Sequence, residues 1–167
     1  TIMDIPQLVS AVLKPGMWKR TDRIVVQETS ERKAQTIEQK FFAKIKHVQG
    51  KYVVIETTDE DGVRRGTEVH CYDRLANTMH STFVNAKGFL SKMVGVPDPS
   101  THTVQWKMVP IKNDPRSFDL TFTCDSNGLG AQIKVQAYQD GTLVTIITAE
   151  LKRIGDLPAA DHPPNNK

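Results

Sequence analysis

The chain has 167 residues and only two cysteines, Cys71 and Cys124, far apart and outside any Cys-x-x-Cys spacing. That pattern supplies neither a disulfide framework nor a zinc-ligand set, and two reduced thiols fit it better than one bridge. Aromatic residues make up 7% of the chain. No segment approaches the roughly 20 consecutive apolar residues that a membrane-spanning helix needs. No sign of charge dominates either: 22 basic residues stand against 19 acidic ones, a net +3 scattered along the chain. The clustered basic footprint of a nucleic-acid binder is missing, so nucleic acid is not an expected partner. Also missing are a Gly-rich phosphate loop, a dinucleotide fingerprint and a Ser, His and Asp triad order. The expectation is therefore no catalytic residue, no metal site and no cofactor, with a non-enzymatic role favoured. Compartment and oligomeric state stay open.

What is present describes a globular chain, 38% apolar and 25% charged. Its length suits one domain with a sizeable core and is too short for two ordinary ones. That domain is expected over residues 1–155. The Pro- and Asn-rich residues 156–167 read as a disordered tail.

Ile5, Leu8, Val9, Val12 and Leu13 have helical spacing behind an Asp4 N-cap, and Pro15-Gly16 ends the pattern. From Trp18 onward the period is two. Trp18, Ile24 and Val26 share one parity with Arg20 and Asp22, and Ile37, Phe41, Ala43 and Ile45 follow. Further runs cover Tyr52 to Thr58, Val63 to Asp73 and Thr78 to Ala86, divided by Asp59 to Gly62 and by Arg74 to Asn77. Gly88 to Val96 reads as a helical turn or a loop folded on the core. Val104 to Met108, Phe118 to Cys124, Ile133 to Ala137 and Thr142 to Ile154 complete nine strands. Short turns exclude parallel pairing between most neighbours, and closing an antiparallel meander removes its edges. The fold expected is an all-β, antiparallel up-and-down barrel with a short N-terminal helix. A two-sheet sandwich is the alternative.

Gly16-Met17-Trp18 at the start of the first strand, with Arg153 near the end of the last, resembles the lipocalin and calycin superfamily. More narrowly, Cys71-Tyr72-Asp73-Arg74, Asp98-Pro99-Ser100-Thr101 and Thr103-Val104-Gln105-Trp106, in that order, resemble bacterial lipocalin-like domains of unknown function. The resemblance covers roughly Lys14 to Ile154 and implies a barrel with a cavity, closed at one end by Arg153 lying over Trp18. It names no ligand.

A barrel of about eight to ten strands is wide enough for one small ligand. By apolar parity, Phe41, Val54, Trp106, Phe122 and Val135 are the expected cavity lining. A small, largely apolar molecule is the expected partner. The rival is a non-enzymatic interaction module with a side-chain-filled barrel, dimerising through an outer patch at Tyr138, Leu129 or Phe42.

Polar constellations carry weaker expectations. Arg20, Asp22 and Arg23 suit either an anionic head group or an internal Arg–Asp pair. Glu68, His70 and Tyr72 share a parity that could face a cavity, but Val63, Val69 and Cys71 form the safer inward set. A two- or four-residue loop at Arg74 to Asn77 sets Cys71 across from His80, and a three-residue loop sets His70 there. Either pair reads as incidental. His47 and His102 fall at turns. At the last hairpin, a three-residue loop Gln139-Asp140-Gly141 is expected. It unites Ile133, Val135 and Ala137 with Leu143, Thr145, Ile147, Ala149 and Leu151 on one face.

Overall fold

Alternation of side chains over ten segments, most of them joined by short turns, folds the chain into one closed antiparallel barrel. The computed structural model describes residues 13–159. The strands are β1 (Gly16–Val26), β2 (Gln35–Val48), β3 (Tyr52–Asp59), β4 (Arg64–Asp73) and β5 (Thr78–Asn85). They continue with β6 (Leu90–Asp98), β7 (Thr103–Met108), β8 (Arg116–Cys124), β9 (Gly130–Gln139) and β10 (Thr142–Gly155). Each pairs with its neighbours in sequence and β1 closes on β10, so no strand edge is left open. This is the up-and-down barrel rather than the sandwich. The helix expected over Asp4 to Leu13, all but Leu13 itself, and most of the expected tail lie outside the described residues. Among the described residues, no helix is long and apolar enough to cross a membrane.

The tenth strand is β6, where a helical turn or loop was the expectation. Its inward positions include Ser91 and Gly95 as well as Met93, while Leu90 and Val96 point outward and are exposed. Apolar residues therefore occur on both faces and hide the period of two. Asn85 starts the hairpin by accepting the Lys87 and Phe89 amides on its Oδ1, both at 2.9 Å. Gly95 then admits its register partner: a Cβ there would lie 2.8 Å from indole carbons of Trp106.

The last hairpin turns on two residues, not three. Asp140 and Gly141 both have positive φ, 50° and 78°, as a type I′ turn requires. A register shift between Leu143 and Thr145 then inserts Val144 as a bulge, whose carbonyl accepts the Gln27 amide at 2.9 Å. The bulge restores the expected face, with Thr145, Ile147 and Ala149 opposite Ala137, Val135 and Ile133. Leu143 is excluded from that face and stands opposite Tyr138.

Candidate functional site: the barrel cavity

Trp18, Ile45 and Val53 are the largest fully buried side chains, and all three belong to one end of the barrel. There the segment Leu13-Lys14-Pro15 is fastened by its backbone. Trp18 Nε1 donates to the Lys14 carbonyl at 3.0 Å, and the Lys14 amide donates to Gly128 at 3.1 Å. His47 Nε2 donates to the Leu13 carbonyl at 3.1 Å, and Arg153 Nε donates to Pro15 at 2.9 Å. Gly16 has a φ of 148°, and a Cβ there would come within 2.4 Å of the Gly155 carbonyl. Glycine is needed because β10 and the Arg153 side chain pass so close. Burial pushes the His47 imidazole below its ordinary pKa, against the Leu13 hydrogen bond, which raises it.

Further in, the inward side chains do not meet. They leave a cavity of about 360 Å³. One wall is apolar, built by Trp106 of β7, Phe118, Leu120 and Phe122 of β8, and Val135 of β9. The other carries polar groups on β4, β5 and β6: Glu68, His70, Ser81 and Ser91. Beside the β6–β7 turn, the exposed Asp98 and Pro99 join the lining, so the cavity reaches the surface there.

Glu68 and His70 are two residues apart on a strand and so point to the same side. His70 Nε2 lies 3.0 Å from Glu68 Oε2 and 3.5 Å from Ser81 Oγ, and its ring meets Trp106 edge-on with centroids 5.3 Å apart. Burial raises the Glu68 pKa. The His70 hydrogen bond and the charges of His70 and Arg20 outweigh that effect and hold the carboxyl below its ordinary range. The 31% exposure of the Glu68 side chain is toward the cavity it lines. Arg20 also lines the cavity, but its guanidinium donates to both carboxylate oxygens of Asp22, 5% exposed, at 2.6 and 3.0 Å. The internal Arg–Asp pair is thus the arrangement formed, and Arg23 is exposed.

Of the residues expected to line the cavity, Trp106, Phe122 and Val135 do so. Phe41 shares the inner parity of Ala43 and Ile45 but is not among the lining residues, and its strand partners are Arg20 and Asp59. Val54 does not line it either. The inward set on β3 is Val53, Ile55 and Thr57, which leaves Val54 on the outer face between Lys46 and Val69. On β4 and at Val63 just before it the apolar choice is overturned: Val63, Val69 and Cys71 are exposed, while Glu68 and His70 line the cavity. The turn was the missed signal. Asp73 Oδ1 accepts the Leu75 and Ala76 amides, and the resulting four-residue loop pairs Cys71 with His80 on the outside. The same loop aligns Glu68, His70 and Tyr72 with Phe83, Ser81 and Met79, the more apolar face of β5. Arg153 is the register partner of Trp18. Its guanidinium reaches the Pro15 carbonyl and Asp156. Neither cysteine is in a disulfide; Cys71 is exposed and Cys124 is buried.

These features define an all-β protein of the closed antiparallel barrel class, with an internal cavity polar on one wall. No protein-family model matches the chain, and no curated protein does. Among solved structures it is similar to Rv2717c from M. tuberculosis, with 14% identity and a TM-score of 0.62 over 92% of this chain and 99% of that one. It is also similar to a protein of unknown function from the DUF3598 family of Nostoc punctiforme, with 12% identity and a TM-score of 0.55 over 89% of this chain. The chain matches 52% of that protein's length. At such identities the likeness is one of fold.

Proposed function

We propose that the protein binds a small, largely apolar molecule within its barrel, as a lipocalin-like binding protein. The observation carrying this reading is the cavity of about 360 Å³ walled by Trp106, Phe118, Leu120, Phe122 and Val135. That volume falls in the range of small-molecule pockets, roughly 300–1,000 Å³, and apolar walls with a few polar groups are their usual make-up. The rival interaction module needs a filled interior and one outer apolar patch. Phe42 on β2 and Tyr138 on β9 are separated by β1 and β10, and Leu129 sits in the β8–β9 turn, which favours the binding reading.

The test is native mass spectrometry of gently purified protein, followed by thermal shift with small apolar probes such as 3-ethylindole. A retained small-molecule adduct, or a concentration-dependent rise in melting temperature, is expected. Protein that carries nothing and responds to no probe would remove the binding reading.

A further inference from the structure

We infer that the molecule bound in this cavity has a protonated amine head, seated against Glu68 and Ser91, and an apolar body against Trp106 and Leu120. The inference rests on the binding reading above and deepens it.

Ser91 is 7% exposed and lines the cavity, and its hydroxyl has no hydrogen-bond partner among the described residues. Every fully enclosed side-chain polar atom among those residues is bonded, so the Ser91 hydroxyl opens onto the cavity. A hydroxyl left there without a partner is costly unless something in the cavity completes it. Glu68 supplies the charge. It is a carboxylate inside the barrel, with an imidazole on one oxygen and no lysine or arginine bonded to it. Arg20, the one lysine or arginine among the described lining residues, is close enough for its charge to act on Glu68 but sends its hydrogen bonds to Asp22. Among the described residues, His70 occupies one Glu68 oxygen and leaves the other without a hydrogen bond, and a second carboxylate, Asp98, stands at the rim, so an incoming ammonium finds an acceptor where an incoming carboxylate meets like charge.

The register leaves room for such a head group. Glu68 pairs with Phe83, and Phe83 pairs with Ser91, which sets Glu68 and Ser91 two strands apart, roughly 10 Å at the backbone. Phe83 does not fill that gap. Its ring leans over Gly66, where a Cβ would lie 2.4 Å from it, and Gly66 is two residues before Glu68. An ammonium group has three donors and no acceptor, matching a carboxylate oxygen and one or two serine oxygens. Beyond this polar wall stand Trp106 and Leu120, adjacent across the β7–β8 ladder.

The experiment is calorimetric titration of the full chain at neutral pH with three probes sharing one body: tryptamine, 3-ethylindole and indole-3-propionate. Tryptamine is expected to bind roughly tenfold or more tightly than 3-ethylindole, with indole-3-propionate the weakest. Glu68→Gln should abolish the preference for tryptamine while leaving 3-ethylindole unchanged. Ser91→Ala should lower tryptamine affinity alone, and its small change guards against a Glu68 variant that fails to fold. Binding of 3-ethylindole with no preference for tryptamine, or a preference for indole-3-propionate, would overturn the inference and leave the binding reading standing. Binding by none of the three would overturn both.

Discussion

Trp18 and Arg153 stand opposite one another across the β1–β10 seam and hold successive carbonyls of one incoming segment. The indole takes Lys14 at 3.0 Å and the guanidinium takes Pro15 at 2.9 Å. The two side chains differ in burial, and burial decides their weight. Trp18 is 0% exposed, so Trp18→Ala opens a large cavity and is expected to cost about 3–5 kcal/mol. The Arg153 side chain is 22% exposed, and its ion partner Asp156 is almost wholly in water, so that pair adds little. The hydrogen bond to Pro15 remains, and Arg153→Ala should cost roughly 1–2 kcal/mol. Urea unfolding of both variants checks the order. An arginine variant as damaging as the tryptophan one would mean that the seam, rather than the buried indole, closes this end.

His47 makes the same end sensitive to acid. Its folded pKa lies below the ordinary 6.5, so on acidification the unfolded chain takes up the proton first. The stability this contributes is complete above that value and is lost as pH falls from 6.5 toward the folded pKa. The urea midpoint should therefore drop between about pH 7.5 and about pH 5.5, and His47→Gln should flatten the drop. Glu68 acts in a lower window. With its folded pKa depressed, its contribution is present above the ordinary 4.5 and is lost as pH falls through the folded value. A midpoint curve unchanged by His47→Gln would exclude the imidazole as the source of the first decline.

The barrel is legible in the sequence because most strands carry a clean period of two between recognisable turns. It fails where both faces of a strand are apolar, as on β6, and where the inner face is polar, as on β4. Parity arguments place hydrophobic residues inward, and a cavity that presents Glu68, His70, Ser81 and Ser91 defeats that rule. Val54 and Val69 are the reverse case, valines on the outer face that satisfy strand propensity without joining the core. The face of β10 is readable, but the bulge at Val144 is not. A three-residue turn and a two-residue turn with a bulge deliver the same inward set beyond Thr145, so hydrophobic pattern cannot tell them apart.

The two thiols should separate cleanly in reactivity. Cys71 lies exposed on the outer face of β4, across from His80. Cys124 is buried, its Sγ lies 3.4 Å from the Gly130 carbonyl, and burial, with Asp125 adding to it, pushes its pKa up to about 12. Only the thiolate attacks a disulfide reagent, so Cys124 is protected both by access and by protonation. Titration with a chromogenic disulfide is expected to find one thiol in native protein and two in denaturant. Finding none in unreduced, unfolded protein would reveal a bond between the two that the fold does not contain.

The interior can also be tested without any ligand. Leu120 is half-buried by its neighbours, yet its strand partners are Trp106 and Val135 and it lines the cavity, so its exposed surface faces the void. In a barrel packed solid by its own side chains, Leu120→Trp would overpack the core and cost roughly 1–3 kcal/mol. In an open barrel the added ring enters free volume and gains contacts there, so the cost should fall below that range or change sign. The same substitution removes space a bound molecule needs, and 3-ethylindole binding should be lost. Loss of binding with little or no loss of stability is thus expected only if the cavity exists in solution. A Leu120→Trp protein that is strongly destabilised would instead favour the side-chain-filled interior, and with it a role played by the outer surface.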